Sequence, residues 1–163
     1  MTDLFALLYV STATPLVDVA QIDALLDRAQ IQNSRAALTG VLLFDGGCFM
    51  QYVEGPAAAI GRLYPRIRSS ALHSGIVELL REPILRREFP EWSMAFRSAN
   101  AFGMSHPAPH LDLLEPAPDA VAEPPSVARA ILTKFWHRGR ASHAFLRPRG
   151  PHADPVSGQT TSA

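Results

Sequence analysis

Apolar positions along the chain change their period several times, and each change marks an element. Residues 4–10 are a short apolar run of strand length. From Asp18 the spacing turns helical: Ile22, Leu25, Leu26 and Ala29 stand at i, i+3, i+4 and i+7. Asp18 with Gln21 three residues later forms a capping-box start, so a helix is predicted from 18 to about 32. Segments 38–44 and 48–54 read as strands around Asp45-Gly46-Gly47, whose glycines suit the positive φ of a tight hairpin. Gly55-Pro56 opens a second helix, with proline in a first turn that needs no amide donor. Its face carries Ile60, Leu63, Tyr64 and Ile67, and two further strands follow at 76–81 and 92–97. The order β-α-β-β-α-β plus one strand is the ferredoxin-like, split βαβ arrangement. An α+β fold is therefore expected, with two helices on one face of a five-stranded mixed sheet. The first strand should lie centrally, beside the third and the last.

Proline usage divides the chain. Residues 1–103 hold five of the 14 prolines and the rest hold nine, together with five of the six histidines. A globular domain is expected over 1–100, a Pro-rich connector at 101–125, a C-terminal helix at 126–138 and a flexible tail at 139–163. The predicted helix carries Val127, Ala130, Ile131 and Phe135 as its apolar stripe, with Gly139 as its stop. That stripe needs a surface: the open face of the sheet or a second subunit.

Composition narrows the class. Of 163 residues, 47% are hydrophobic and 18% charged, which predicts a packed core and excludes a wholly disordered chain. Basic and acidic residues both number 15, which argues against a surface given over to nucleic acid or membrane. A single cysteine, Cys48, cannot form an internal disulfide and argues against a Cys-based zinc site. No basic segment precedes the first apolar run, and none approaches the roughly 20 residues of a membrane span. The expectation is a cytoplasmic protein.

Strand parity then isolates one residue. Phe5, Leu7, Tyr9 and Ser11 share one side of the first strand, and Phe49, Gln51 and Val53 share one side of the third. Gln51 is a polar member of an apolar set on a central strand, where an unpaired amide would cost about 1–3 kcal/mol. The Tyr9 hydroxyl is a natural partner. A Tyr–Gln pair still leaves amide capacity over, so water, another side chain or a ligand must sit there as well.

Tyr9 in LLYVSTAT, Asn33 in IQNSRAALTG, Gln51 in GCFMQYVEGP, and Trp92 with Met94 in FPEWSMAF together resemble the BLUF domain family. These are blue-light sensors that hold a flavin between two helices of a ferredoxin-like fold. The resemblance covers about residues 4–97, and SVARAILTKFW is similar to the C-terminal helix of the short members. It implies FAD as cofactor, with FMN or riboflavin as alternatives. It implies that Tyr9 donates an electron and proton to the excited flavin and that Gln51 bridges Tyr9 to the ring. Asn33 would bond the polar edge of the ring, Arg66 would belong to the pocket, and Leu25 and Ile67 would sandwich the ring. Trp92 and Met94 would lie on the strand beside Gln51 and transmit its rearrangement, and His73 would stand near the ribityl chain. The chain departs from the common pattern at Ser11-Thr12-Ala13, and at Ser70 and Leu72, where the family carries Asp and Arg.

Output is expected through contacts with an unidentified downstream protein and through a homo-oligomer, not through enzymatic turnover. The span 125–149 has six basic residues and no acidic one, read as a solvated end. Two competing readings stand beside the sensor. One is a light-insensitive interaction module of the same fold, motivated by Ser70 and Leu72. The other is a small hydrolase, for which no phosphate loop, paired carboxylates or Cys/His pair is evident.

Overall fold

A computed structural model describes residues 3–98 and 126–144. The expected connector at 101–125 and the tail from 145 onward lie outside the described residues. The element order is β1 (Leu4–Ala13), α1 (Val19–Arg35), β2 (Thr39–Asp45), β3 (Cys48–Pro56), α2 (Ala57–Arg68), β4 (His73–Pro83), β5 (Ala95–Ser98) and α3 (Val127–Ala144). The five strands form one sheet in the order β4-β1-β3-β2-β5, antiparallel except for the β2–β5 pair. This is the expected α+β, ferredoxin-like sheet with one strand added.

The local signals explain most boundaries. The Asp18 carboxylate accepts from the Gln21 N–H at 2.8 Å and caps α1. Asp45 pairs with Cys48, so Gly46 and Gly47 alone make the turn, with φ of +54° and +79°. Ser126 caps α3, its Oγ accepting from the Arg129 N–H at 3.1 Å.

Several expectations are corrected. β1 does lie beside β3, but its other neighbour is β4, and the last strand pairs with β2 at the far edge. β4 is longer than 76–81, and β5 shorter than 92–97, because 90–94 runs as turn and bend before pairing with β2 begins. Pro56 ends β3 and caps α2 rather than lying inside its first turn. α3 continues through Gly139, since helix propensity on both sides outweighs the roughly 1 kcal/mol that one glycine costs.

Two apolar clusters cover the α1/α2 face. Ala59 and Ile60 of α2 join Leu7, Tyr9, Leu38 and Val53, while Ile22 and Leu26 of α1 join Leu42, Phe49, Met94 and Phe96. The two helices thus bury different parts of one face and leave a gap between them. α3 covers the opposite face, packing Ala128, Leu132 and Trp136 on Ala6, Leu8, Val41, Leu43, Met50 and Tyr52. The buried stripe is 128, 132 and 136, with Ile131 and Phe135 flanking it, and Val127 stays exposed. The stripe is therefore turned from the expected one, because Trp136 and Leu132 fill the largest space against the sheet.

Glu54 is completely buried on this second face. Its carboxylate accepts from Thr39 Oγ1 and the Phe89 N–H at one oxygen, and from Tyr52 Oη and the Glu88 N–H at the other, at 2.7–3.1 Å. The segment after β4 is therefore tied to β3. Arg87 reinforces the tie by donating to Thr39 Oγ1, Glu54 O and Ala37 O at 2.6–3.2 Å. Glu88 continues it to α3 through an ion pair with Arg129 at 2.6 Å.

Candidate functional site

The gap between the two clusters is a cavity of about 290 Å³, close to the lower limit of about 300 Å³ for small-molecule sites. That volume suits a ring system rather than a whole dinucleotide. Its floor is the sheet, with Tyr9 from β1, Phe49 and Gln51 from β3 and Leu42 from β2. α1 supplies one wall with Leu25 and Ala29, and α2 the other with Leu63 and Ile67. Arg28, Gln32 and Arg66 also line it and are exposed, which marks the mouth.

A chain of hydrogen bonds crosses the floor. The Tyr9 O–H donates to Gln51 Oε1, and Gln51 Nε2 donates to Met94 Sδ at 3.4 Å. All three side chains are buried. Tyr9 and Gln51 face each other because they are register partners across the β1–β3 ladder, which puts both side chains on one face. Burial pushes the Tyr9 phenol well above its ordinary value of 10.0, with the Tyr64 hydroxyl adding to the effect. Tyr9 is therefore protonated throughout the physiological range and acts as a donor.

α1 holds the segment that carries Met94. Asn33 Nδ2 donates to Ser93 O at 2.8 Å, and Gln30 Nε2 donates to Met94 O at 3.3 Å. Asn33 is buried at the cavity edge and keeps a carbonyl oxygen as acceptor capacity for a ligand.

His73 opens β4 and lines the cavity between Tyr9 and Phe49, with ring centroids 6.1 Å from each. Its Nδ1 lies 2.9 Å from Ser11 Oγ. Burial holds its pKa below 6.5, partly offset by a hydrogen bond to the Ile67 backbone, so the ring is neutral at pH 7.

Of the nine residues singled out in the sequence, eight meet at this cavity: Tyr9, Leu25, Asn33, Gln51, Arg66, Ile67, His73 and Met94. Trp92 does not. It stacks on Phe89, centroids 5.6 Å apart and planes 13° from parallel, and packs against the α3-side cluster. Strict alternation failed because the chain is not yet a strand at 92. Nor do Trp92 and Met94 stand on the strand beside Gln51: that place belongs to β2, where Leu42 is the register partner of Gln51. Met94 reaches Gln51 from beyond β2.

Sequence reasoning missed Arg28, Gln32, Leu42, Phe49 and Leu63 as lining residues. A signal was present for two of them, since Leu25, Arg28, Ala29 and Gln32 form an i, i+3, i+4, i+7 stripe. Among the described residues no group of His, Cys, Asp and Glu could hold a metal ion, and no helix is long and apolar enough to cross a membrane.

The residues present fit a flavin ring. Leu25 and Ile67 stand on opposite helices as apolar walls, and Asn33 and Gln51 bring amide groups to the same lining.

Comparison with known proteins agrees. The photoactivated adenylate cyclase subunit beta of Euglena longa is 35% identical over 92 residues, which is 56% of this chain and 11% of that protein. The blue light- and temperature-regulated antirepressor BluF of Escherichia coli strain K12 is 34% identical over 76 residues, 47% of this chain and 19% of BluF. The chain thus spans between a tenth and a fifth of the length of these relatives. The dark-state structure of the BLUF protein BlrB superposes with a TM-score of 0.61 at 28% identity, covering 88% of this chain and 92% of BlrB. With its fold, its Tyr9–Gln51 floor and a match to the family model over residues 4–95, the chain belongs to the BLUF family, sensors of blue light using FAD.

Proposed function

We propose that this chain is a blue-light sensor seating the ring of FAD, with FMN or riboflavin as alternatives, between α1 and α2. Leu25 and Ile67 would cover its two faces, Asn33 and Gln51 would bond its polar edge, and Arg66 and His73 would flank the ribityl end. The observation that carries this reading is the Tyr9–Gln51–Met94 chain on the floor of a ring-sized cavity. When bound, the flavin supplies the visible absorption and the electron acceptor that no side chain provides.

The protein's own part follows from its hydrogen bonds. Tyr9 holds its proton firmly at Oη, so that proton leaves only together with an electron, towards Gln51 Oε1. Gln51 can serve because its amide both accepts and donates. The chain is neutral, so separated charges in this buried place are costly and return quickly. The lasting change is the arrangement of bonds around Gln51, including the one to Met94. From Met94 the backbone runs back to Phe89 and Glu88, which meet Glu54 and Arg129, giving a path to α3. Trp92 lies on that path rather than at the flavin.

Signalling would then pass to a downstream protein or a second copy of the chain in the cytoplasm, with no catalytic turnover and no membrane or nucleic-acid partner.

The test is an absorption spectrum in darkness and after blue illumination. A flavin band that moves slightly to the red and relaxes in darkness is expected. Tyr9→Phe and Gln51→Leu should keep the flavin and lose the shift. A normal shift in both variants would overturn the mechanism. A protein that stays colourless after FAD is added would favour the light-insensitive interaction module.

A further inference from the structure

The mouth of the cavity has a charge pattern that a flavin ring alone does not call for. Its lining includes two guanidinium groups, Arg28 of α1 and Arg66 of α2, and no carboxylate. Arg66 Nη2 donates to Gln32 Oε1 at 2.9 Å, and Gln32 stands one helical turn after Arg28. The two cations therefore flank a neutral side chain across the gap between the helices. Arg28 has no hydrogen-bond or ion-pair partner among the described residues. The adjoining loop brings no charge: Leu72 is apolar, and Ser70 Oγ is engaged by the Leu72 N–H at 3.3 Å.

Two like charges gathered at one opening, with no local anion, favour an anionic ligand group there. Guanidinium forks match phosphate oxygens in geometry as well as in sign. We propose that Arg28, together with Arg66, binds a phosphate group on the flavin's side chain, making Arg28 a specificity-determining residue that selects phosphorylated flavins over riboflavin. This rests on the flavin reading above and adds to it the chemistry of the tail.

The experiment titrates the apoprotein with riboflavin, FMN and FAD, following quenching of flavin fluorescence at low and moderate salt. The wild type should bind FMN and FAD more tightly than riboflavin, with the difference shrinking as salt rises. Arg28→Ala should weaken FMN and FAD by about tenfold, leave riboflavin unchanged, and be partly rescued in Arg28→Lys. A loss for both FMN and FAD supports recognition of the phosphate they share, and a loss for FMN alone supports recognition of a terminal phosphate. Equal affinity of the wild type for all three flavins, or an Arg28→Ala loss that includes riboflavin, overturns the assignment while leaving the flavin reading intact. Failure of every flavin to bind removes the flavin reading itself and the Arg28 assignment with it.

Discussion

Glu54→Gln tests whether the segment that carries Met94 is anchored as described. Each carboxylate oxygen of Glu54 accepts one hydroxyl and one backbone N–H: Thr39 and Phe89 at one, Tyr52 and Glu88 at the other. A glutamine must put an NH₂ group where one of those oxygens stood. The hydroxyl there can rotate and accept instead, but the backbone N–H cannot, so one buried donor is stranded at about 1–3 kcal/mol. The remaining bonds also lose an ionised acceptor, worth about 1 kcal/mol more. The expected loss is about 2–4 kcal/mol. Urea unfolding followed by fluorescence of Trp92 and Trp136 should show it as a midpoint lowered by about 1–2 M, with the slope unchanged. Amide exchange should quicken at Glu88 and Phe89 before it does in β1. A loss below about 0.5 kcal/mol, or unchanged exchange at those two amides, would refute the anchoring.

Two other predictions concern the two faces of the sheet. Leu132→Ala removes a fully buried side chain from between α3 and the sheet, and should cost about 2–5 kcal/mol in thermal or chemical unfolding. A cost under 1 kcal/mol would mean that α3 is not docked in solution. His73 titrates lower in the folded protein than its ordinary 6.5, so between those two values the unfolded chain binds the extra proton. Its contribution is complete above about pH 6.5 and is lost as pH falls further. Unfolding midpoints should decline more steeply from pH 7 to 5 in the wild type than in His73→Gln, and equal slopes would contradict the burial argument.

How far the site could be read in advance depended on the range of the signals. Tyr9 and Gln51 were legible because parity along two strands puts each on a known side, and an amide among apolar neighbours asks for a partner. Leu25 and Ile67 lay on the apolar faces that helical spacing marks, but their place at a flavin, like that of Asn33, came from the family motifs alone. Trp92 was misplaced for the opposite reason. Its side is set by the turn at 90–94, whose path depends on the Glu54 carboxylate 38 residues earlier in the chain.

Local patterns along the chain suffice for the elements, the hairpin at Gly46-Gly47, the capped start of α1 and the pairing of a tyrosine with a glutamine. These rest on period, φ preference and side-chain chemistry, which act over a few residues. Long-range packing instead sets which strand flanks β1, which face α3 covers, that Glu54 is buried and satisfied, and that Arg28 joins Arg66 at the cavity mouth. Those outcomes depend on distant segments meeting. A fully buried carboxylate is stable only where donors converge on it, here from Thr39, Tyr52 and the 88–89 backbone, and no local pattern announces that convergence.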